Sequence, residues 1–382
     1  MSNTWIELDL EALADNLRNV RAALTRAAEI IFVVKSDAYG HGLAPVARQA
    51  WQCGLRWFAV AHIGEALRLR ELLPEARILV MGVLAPEEVS AALAARLLPV
   101  VVSAEHGLAL AAAAAARGQA LACHAKVDTG MGRLGFAWET AADALAALAR
   151  RGGLALQGIC THLASADEPE TDFAETQAER FRQVVLGCAE RGLPPLFKHI
   201  ANSGGVLRDV AWDLDGVRLG ILLYGYGPRL ARAGSVPGEA RRARGRAVAT
   251  RPLLHWKTRV VQVKAVPARF PVSYGSTHVT ERETILATVN AGYADGYRRA
   301  LSNRGAILVG GRRCPVVGRV TMNLTVADAG PDAAVRVGDE ATLLGTQGGE
   351  AVWAEELAAL CGTISYEVLT SIRTDARRIK GG

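Results

Sequence analysis

The sequence predicts an α/β fold: a (β/α)8 TIM-type barrel followed by a mostly β carboxyl-terminal domain. Two observations lead to this prediction. Up to about residue 225, short apolar runs alternate with longer segments in which apolar residues recur every three or four positions, as in amphipathic helices. Beyond residue 256 apolar and polar residues alternate instead, and a single helical segment intervenes, which is typical of antiparallel strands.

Eight strand candidates follow one another in the first part of the chain, with helical patterns between them. In order they are IIFVVK, WFAV, ILVMG, PVVVS, LACHAKVD, LQGICTH, FKHIAN and VRLGILLYG. Eight strand-helix units are the number that closes a TIM-type barrel, which we place at residues 11–235. An open doubly wound sheet is the alternative, but no GxGxxG turn follows the first strand to support it.

The second domain is predicted from five runs with strand periodicity and one helix. The runs are KTRVVQVKAV, ETILATVNAG, GAILVGGRRCPVVG, NLTVADAG and EATLLG, and the helix is VWAEELAALCG. The amino-terminal TWIELDL is a further strand that can pair with this domain. We therefore assign residues 1–10 and 236–382 to it.

Length and composition indicate a folded globular protein. The chain has 382 residues, 50% of them hydrophobic, which is enough to bury two cores and is unlike disordered chains. Its net charge of +6 is modest. Only RRARGR, residues 241–246, is dense enough in charge to suggest a polyanion, and we interpret it as a solvated interdomain loop. We therefore expect no nucleic-acid partner.

Targeting signals and metal-ligand patterns are not visible in the sequence. Met1 is followed by polar residues rather than by the apolar segment of a signal peptide. The longest apolar run, about residues 108–116, is too short to span a membrane. The six cysteines are scattered without metal-ligand spacing. We expect a cytoplasmic protein with reduced thiols, no membrane contact and no metal site.

Charged and polar residues cluster at the ends of the predicted barrel strands. In TIM-type barrels the catalytic and ligand-binding residues lie at the carboxyl ends of the strands, so these side chains are expected to converge on one pocket. A single strand-end histidine or arginine is usually structural, but that explanation fits the whole set poorly. The set is Lys35, Lys126, Asp128, Arg133, His162, His199, Asn202, Ser203 and Arg218.

Lys35 and a glycine-rich segment suggest the ligand of this pocket. A strand-end lysine usually marks where a strand meets water, but in a dry pocket its amine can be neutral and form a Schiff base. ANSGG opens the helix after the seventh strand, and Gly220 and Ile221 lie in the last loop. Their N–H groups, with the hydroxyl of Ser203, can cradle a phosphate. A lysine beside a phosphate site suggests pyridoxal phosphate.

The chain resembles alanine racemases, which are fold type III pyridoxal-phosphate enzymes, over essentially its whole length. Nine motifs in the order and spacing of that family carry the resemblance. They are VVKSDAYGHG, KVDTGMGRLGF, THLASADE, HIANSGG, RLGILLYG, VSYGST, NAGYADGYRR, GRVTMN and TISYE. The resemblance implies an amino-acid racemase that interconverts L-alanine and D-alanine and supplies D-alanine for peptidoglycan. Serine or broad specificity and a non-catalytic cofactor carrier are the alternatives.

The resemblance also implies a role for each site residue. Lys35 would hold the cofactor and act as the base for D-alanine, and Tyr274 would act as the base for L-alanine. Arg218 would face the pyridine nitrogen, and His162 would lie near the Tyr274 network. Arg133 would approach the phenolic oxygen and the substrate carboxylate, with Lys126 and Met322 beside it. The other implied cofactor contacts are Tyr39, Asn202, Ser203, Gly220, Ile221 and Tyr366.

The family resemblance further implies a homodimer in which the β domain of each protomer supplies Tyr274 and Met322 to its partner. One position departs from the family pattern, because Asn323 follows Met322 where many relatives have aspartate. Either this substitution has no functional effect, or it changes which amino acid the site accepts, with serine as the first candidate.

Overall fold

The computed structural model of the protein describes residues 4–25, 28–227, 246–374 and 376–380. The chain forms two compact units. One unit comprises residues 13–38 and 43–251, and the other comprises residues 1–12, 39–42 and 252–382. The predicted loop at residues 241–246 lies outside the described residues except for Arg246, which is not solvated as predicted but pairs with the buried Asp213.

Eight parallel strands form the sheet of the first unit, while β1 (Thr4–Leu8) belongs to the second. The eight are β2 (Glu29–Val33), β3 (Trp57–Val60), β4 (Arg77–Val83), β5 (Leu97–Val101), β6 (Leu121–Asp128), β8 (Leu154–Cys160), β9 (Phe197–His199) and β10 (Gly216–Leu219); a two-residue strand, β7 (Phe136–Ala137), pairs with β6. Their order is β10-β2-β3-β4-β5-β6-β8-β9. Strands β9 and β10 are joined by backbone bonds from Asp215 to Lys198 and from Arg218 to Ala201. The predicted barrel is confirmed, and the open sheet is excluded.

The strands of the barrel are apolar on both faces, as expected of parallel strands covered by helices. All four residues of β3 and all five of β5 are buried. Inside, Phe32 packs against Phe58 and Tyr224, with ring centroids 6.4 and 5.3 Å away. This core supports the carboxyl ends of the strands, where the candidate site residues lie.

Helices connect most of the barrel strands. They are α1 (Leu10–Ala23), α2 (Lys35–Tyr39), which is a single left-handed turn, α3 (Leu43–Gln52), α4 (Ile63–Leu72), α5 (Val89–Ala94), α6 (Ala104–Ala115), α7 (Ala141–Arg151), α8 (Phe173–Glu190) and α9 (Ser203–Arg208). Residues 220–227 and 246–253, which follow the eighth strand, contain no α-helix, and the stretch between them lies outside the described residues, so the eighth helix stays a prediction. Asn16 of α1 donates to the carbonyls of Leu223 and Arg251. The helix that precedes the first barrel strand therefore contacts the segment after the last one.

The second unit is built around antiparallel strands. The strands of this unit that follow β1 are β11 (Leu254–Val266), β12 (Pro271–Val272), β13 (His278–Val279), β14 (Thr284–Val289), β15 (Ala306–Val309), β16 (Arg312–Pro315), β17 (Thr325–Gly330), β18 (Glu340–Gln347), β19 (Glu350–Val352) and β20 (Arg377–Ile379), and β20 pairs with β1 in parallel. The main sheet runs β16-β15-β18-β11-β1-β20, and β14 pairs with β11 and β17. Strand β1 is antiparallel to β11, from Thr4 opposite Thr258 to Leu8 opposite Leu254. The predicted pairing of the amino-terminal strand is confirmed.

The described part of the second unit has one α-helix more than predicted. Besides α10 (Ala354–Cys361), which matches the predicted segment, residues Ser365–Ser371 form α11. This segment contains Tyr366, Val368 and Thr370, whose side chains lower helix propensity, so the sequence pattern did not indicate it. Packing against α10 overrides that propensity, and Gly362 ends α10 with a left-handed φ of 68° so that the chain can turn between the two helices.

Two predictions about the whole chain can be compared with these elements. All six cysteines are unpaired, as the prediction of reduced thiols requires. Within the described residues, no helix is both long and apolar enough to cross a lipid bilayer.

Candidate active site

Lys35 lies immediately after β2, where the chain makes a left-handed turn. Residues 36–39 all have φ between 53° and 55°, and none of them is glycine. Each residue in a left-handed helical conformation costs about 1–2 kcal/mol, so other contacts must hold the turn. The Ser36 N–H donates to Glu65 Oε1 at 2.6 Å, and Asp37 Oδ1 accepts from the Leu43 N–H at 2.8 Å. This strained turn directs Lys35 at the carboxyl end of the barrel.

The Lys35 amine is partly buried, and its surroundings favour the neutral form. Burial lowers the pKa of Lys35 below its usual value of 10.5, and the positive charge of Arg133 lowers it further. The Glu65 carboxylate acts in the opposite direction but does not outweigh them. The dry-pocket interpretation of Lys35 therefore fits the structure better than a lysine that simply meets water.

Strand β6 brings Lys126 and Asp128 to the same end of the barrel. Lys126 is 8% exposed, and burial is the first cause of its lowered pKa, with the charges of Arg218 and Arg133 adding to it. Burial works to raise the pKa of Asp128, but the backbone N–H groups that follow it together outweigh burial and lower it. Asp128 Oδ1 accepts from the N–H groups of Gly130 and Gly132 at 2.9 and 3.1 Å. The ionised carboxylate thus shapes the loop that carries the exposed Arg133.

Arg218 of β10 is a buried cation whose terminal nitrogens are held by the barrel. Its Nη1 donates to Nδ1 and to the carbonyl of His199, both at 2.8 Å. Its Nη2 donates to the carbonyls of Thr161 and Ile200, at 2.6 and 3.0 Å, and lies 3.4 Å from His162 Nδ1. These bonds account for the four terminal N–H groups, and the Nε–H has no acceptor among the described residues. One fixed donor of Arg218 is therefore left for a ligand.

Two histidines beside Arg218 are kept neutral. Burial lowers the pKa of His162 and of His199 well below the usual value of 6.5, and the charge of Arg218 is the next cause for both. His199 is fully buried, and its Nε2 lies 2.9 Å from Nδ1 of His124, which is also fully buried. A neutral histidine can accept a bond from the guanidinium, whereas a charged one would repel it.

The glycine-rich segment after β9 forms the start of α9. Asn202 is the N-cap residue, and its Oδ1 accepts from the Gly205 N–H at 2.9 Å. Ser203 is buried and its hydroxyl lies 3.4 Å from the N–H of Leu222. That bond links α9 to the turn after β10, in which Gly220 and Ile221 lie. The structure therefore brings Ser203 and this turn together, as the phosphate prediction requires.

Sequence reasoning missed one residue that connects two loops of the site. Gln177 of α8 is fully buried; its Oε1 accepts from the Ala164 N–H at 2.8 Å, and its Nε2 donates to the His162 carbonyl at 3.1 Å. The same Nε2 lies 3.3 Å from the hydroxyl of Thr129, in the loop that leads to Arg133. The only sequence signal was a polar residue at an apolar position of an amphipathic helix. Glu65 and His124 were also missed, because their hydrogen-bond partners Ser36 and His199 are distant in the sequence.

The cations at this end of the barrel have few anionic partners. Among the described residues, the side chains of Lys35, Lys126 and Arg133 make no hydrogen bond and no ion pair within 4.0 Å, although Lys35 and Lys126 are at least partly buried. Uncompensated buried charge is costly, so such a group of cations suits an anionic ligand. A phosphate, a phenolic oxygen and a substrate carboxylate are the anionic groups of a pyridoxal phosphate site with an amino acid. The donor set fits this cofactor.

Tyr274 lies on a strained loop of the second unit. It begins a 3-10 turn, Tyr274–Ser276, between β12 and β13. Ser273 and Ser276 have φ values of 60° and 46°, and such strain is often found at functional sites. The Ser273 hydroxyl donates to the Arg319 carbonyl at 2.7 Å. Tyr274 is 72% exposed, so its phenol is available to a ligand or a partner rather than buried in the core.

The loop that contains Met322 and Asn323 belongs to the same unit. The N–H groups of Tyr293 and Ala294 donate to the carbonyls of Thr321 and Met322, both at 3.0 Å. Met322 is 56% exposed, and Asn323 is exposed as well. Large exposed side chains such as Tyr274 and Met322 in loops of one unit are typical of a surface that contacts a ligand or another protein.

Tyr39 and Tyr366 lie together in the second unit. Their ring centroids are 5.9 Å apart at an interplanar angle of 46°. Tyr39 is buried, which raises its pKa above the usual value of 10.0 and keeps the phenol protonated. Gly40 follows Tyr39 with a φ of 81°, and a Cβ there would lie 2.6 Å from the Leu369 carbonyl of α11. Only glycine allows this close approach.

Comparison with known proteins identifies the family. The profile described as "Alanine racemase, N-terminal domain" matches residues 8–228, and that of the C-terminal domain matches residues 253–380. The alanine racemase of Symbiobacterium thermophilum is 40% identical over 382 residues, which is 100% of this chain and 98% of that protein.

Solved structures agree with this match. Alanine racemase from the D-cycloserine producer Streptomyces lavendulae superposes with a TM-score of 0.90 at 35% identity, covering 100% of this chain and 98% of that one. Alanine racemase from Bartonella henselae, solved with covalently bound pyridoxal phosphate, gives a TM-score of 0.86 at 27% identity and covers 99% and 100% of the two chains. The chain belongs to the alanine racemase family.

Proposed function

We propose that this protein is a pyridoxal-phosphate-dependent isomerase that interconverts L-alanine and D-alanine. The observation that carries the proposal is the convergence of Lys35 with Lys126, Arg133 and Arg218 at the carboxyl end of a closed barrel. Among the described residues these basic side chains have few anionic partners, as a site for an anionic cofactor and an amino acid requires. The full-length similarity to alanine racemases supports the same conclusion.

The residues proposed to hold the cofactor fall into three groups. Lys35 would bind it covalently, and Arg218 would donate its remaining Nε–H to the pyridine nitrogen. The phosphate would be bound at the start of α9 and the turn after β10. The contacts proposed there are Tyr39, Asn202, Ser203, Gly220, Ile221 and Tyr366. When bound, pyridoxal phosphate supplies an electron sink that stabilises the negative charge left on the α-carbon of the substrate.

Lys35 is the proposed base for D-alanine. A base must be unprotonated when it takes the α-proton, and burial together with Arg133 lowers the pKa of this amine. Its place on a rigid turn after β2, held through Glu65, fixes the direction from which it reaches the substrate. A charged lysine at the same point would be unable to accept the proton.

Tyr274 is the proposed base for L-alanine. Racemisation needs a second acid-base group on the opposite face of the α-carbon, and a phenol can exchange a proton there. His162 would lie near this tyrosine. Burial and the charge of Arg218 lower the pKa of His162, so its imidazole is neutral and can exchange hydrogen bonds with this network.

Arg218 restricts the chemistry to racemisation. A guanidinium stays protonated in proteins, so Arg218 offers a hydrogen bond to the pyridine nitrogen without giving up a proton. By keeping its own protons, Arg218 would leave that nitrogen unprotonated and so would limit side reactions such as transamination. Arg133, with Lys126 and Met322 beside it, would position the carboxylate of the amino acid.

The proposed assembly is a homodimer in which the partner protomer supplies Tyr274 and Met322 to the site. The high exposure of both side chains in the isolated chain supports this proposal, since neither is used in the core of its own unit. We further propose that the enzyme works in the cytoplasm and supplies D-alanine for peptidoglycan.

The decisive experiment is to incubate the purified protein with L-alanine as the only amino acid and to measure D-alanine. We expect D-alanine to form in wild type, and Lys35→Ala to abolish both the activity and a borohydride-fixed cofactor. Lys264→Ala, at an exposed lysine of β11, is the matched control and should retain both. The proposal is wrong if wild type forms no D-alanine, or if peptide mapping locates the cofactor on another lysine.

A further inference from the structure

His124 is a buried histidine that the proposed mechanism does not use. It lies on β6 inside the barrel, is 0% exposed, and is surrounded by the rings of Trp57, Phe197 and His199 at centroid distances of 5.9, 6.1 and 5.1 Å. Its Nε2 has no hydrogen-bond partner among the described residues. A buried orphan of this kind costs stability and calls for an explanation.

The barrel leaves room for this ring at one point. Strands β6 and β9 are separated by β8, so His124 and His199 can meet only across β8. The residue of β8 between them is Gly158, where a Cβ would lie 2.5 Å from Nδ1 of His124. Any side chain at this position would displace the ring of His124 from His199.

The tautomers of both histidines follow from Arg218. A guanidinium has only donors, so His199 Nδ1 must accept the bond from Nη1. A neutral His199 then carries its proton on Nε2 and donates it to His124 Nδ1, 2.9 Å away. His124 in turn holds its own proton on Nε2, which is the atom without a partner. The reverse direction would leave His199 with no proton at all.

We propose that His124 is a positioning residue that acts on Arg218 through His199. By accepting the Nε2–H, it prevents the opposite tautomer and a rotation of the His199 ring, either of which would remove the acceptor of Arg218 Nη1. The guanidinium then keeps the orientation in which Nε–H is the free donor. This inference rests on the proposed function only in that Arg218 faces the cofactor.

The unpaired Nε2–H is consistent with this role. If His124 carried a second proton, its Nδ1–H would point at the Nε2–H of His199, and the hydrogen bond between the two histidines would be lost. Burial and the charge of Arg218 both lower the pKa of His124, to about 4, which keeps the acceptor available at neutral pH. The residues facing this pair from the neighbouring strands that carry charge are Arg218 and Lys126, and both oppose protonation.

The first test is nuclear magnetic resonance of the holoenzyme labelled with ¹⁵N-histidine. The chain has eight histidines, so few signals need to be assigned. We expect His124 and His199 each to show a protonated Nε2 and an unprotonated Nδ1 at pH 7, with signals assigned from His124→Asn and His199→Asn. A proton on Nδ1 of His199 in wild type overturns the proposal. The decisive spectrum is that of wild type, and the variants serve only to assign its signals.

The second test separates positioning from packing. In His124→Asn the amide oxygen can replace Nδ1 as acceptor, whereas His124→Leu fills space but accepts nothing. We expect His124→Leu to lose the hydrogen-bonded Nε2–H signal of His199 and to lower kcat at least tenfold with little change in KM, and His124→Asn to recover most of both.

The proposal is overturned if His124→Asn and His124→Leu lower kcat equally. It is also overturned if the Nε2–H signal of His199 is unchanged in His124→Leu. The proposed racemase function fails separately, because it is decided by D-alanine formation in wild type, whereas the tautomers of His124 and His199 are read without any substrate.

Discussion

Gln177→Leu is expected to destabilise the barrel and to loosen the site. Leucine has nearly the volume of glutamine but removes the acceptor of the Ala164 N–H and the donor to the His162 carbonyl. A buried group left without a partner costs about 1–3 kcal/mol, and the lower end applies to the Ala164 N–H, because Ala164 is exposed and its bond to Gln177 is only partly buried. The apolar side chain offsets about 1–2 kcal/mol of this by its burial. The hydroxyl of Thr129 keeps its 2.8 Å bond to Thr161 and loses little.

The net result should be a loss of about 2–3 kcal/mol in the free energy of unfolding, which is a large part of the usual 5–15 kcal/mol. The measurement is urea unfolding at fixed protein and cofactor concentrations, because ligand binding shifts apparent stability. The affinity for pyridoxal phosphate should also fall, since Gln177 links the loops that carry Arg133 and His162.

Gln183→Leu on the same helix is the matched control. Gln183 is exposed and bonds only to Glu179 on the surface, so this change should alter stability by less than about 0.5 kcal/mol. The reasoning is refuted if the two variants have the same urea midpoint and slope, because the buried bonds of Gln177 would then contribute nothing.

Four further predictions follow from other residues. Tyr274→Phe should slow exchange of the α-proton of L-alanine far more than that of D-alanine, as measured in ²H₂O, and an equal loss for both with the cofactor still bound contradicts the two-base assignment. Asn323→Asp should change the ratio of alanine to serine turnover if this position sets specificity, and an unchanged ratio removes it from consideration. Hybrids of Lys35→Ala and Tyr274→Phe, formed by refolding a mixture, should regain activity because one of their two shared sites is intact; a verified hybrid without activity rules out shared sites. Stability should fall as the pH drops from 6.5 to 4, because the folded pKa of His124, about 4, is lower than the unfolded value of 6.5 and its contribution is complete only above 6.5. That shift corresponds to about 3 kcal/mol, and His124→Asn should flatten the decline in urea unfolding measured across this range.

Much of the fold was predictable because its signals are local. Eight apolar runs separated by amphipathic segments predicted the barrel, and period-two runs predicted the second unit, including its pairing with the amino-terminal strand. The errors occurred where packing outweighed local preference. Helix α11 forms from residues of low helix propensity because α10 supports it.

The candidate site divides in the same way. Strand-end positions alone indicated that Lys35, Lys126, His162 and Arg218 would converge, since parallel strands of a barrel end on one face. No local pattern could indicate that Gln177 bonds two loops, or that Ser36 to Tyr39 form a left-handed turn. These depend on partners that are far away in the sequence and on strain that only surrounding contacts can hold.

The sequence by itself determined the fold class and the chemical types at the strand ends, because side-chain periodicity and residue identity are properties of the chain. Only the tertiary structure decided what state those groups are in. Arg218 keeps one donor free because His199 and three carbonyls take the others, and His199 accepts from it because His124 lies across Gly158. Burial and neighbouring charge, which set the pKa of Lys35 and the tautomers of both histidines, exist only once strands distant in sequence have closed into a barrel.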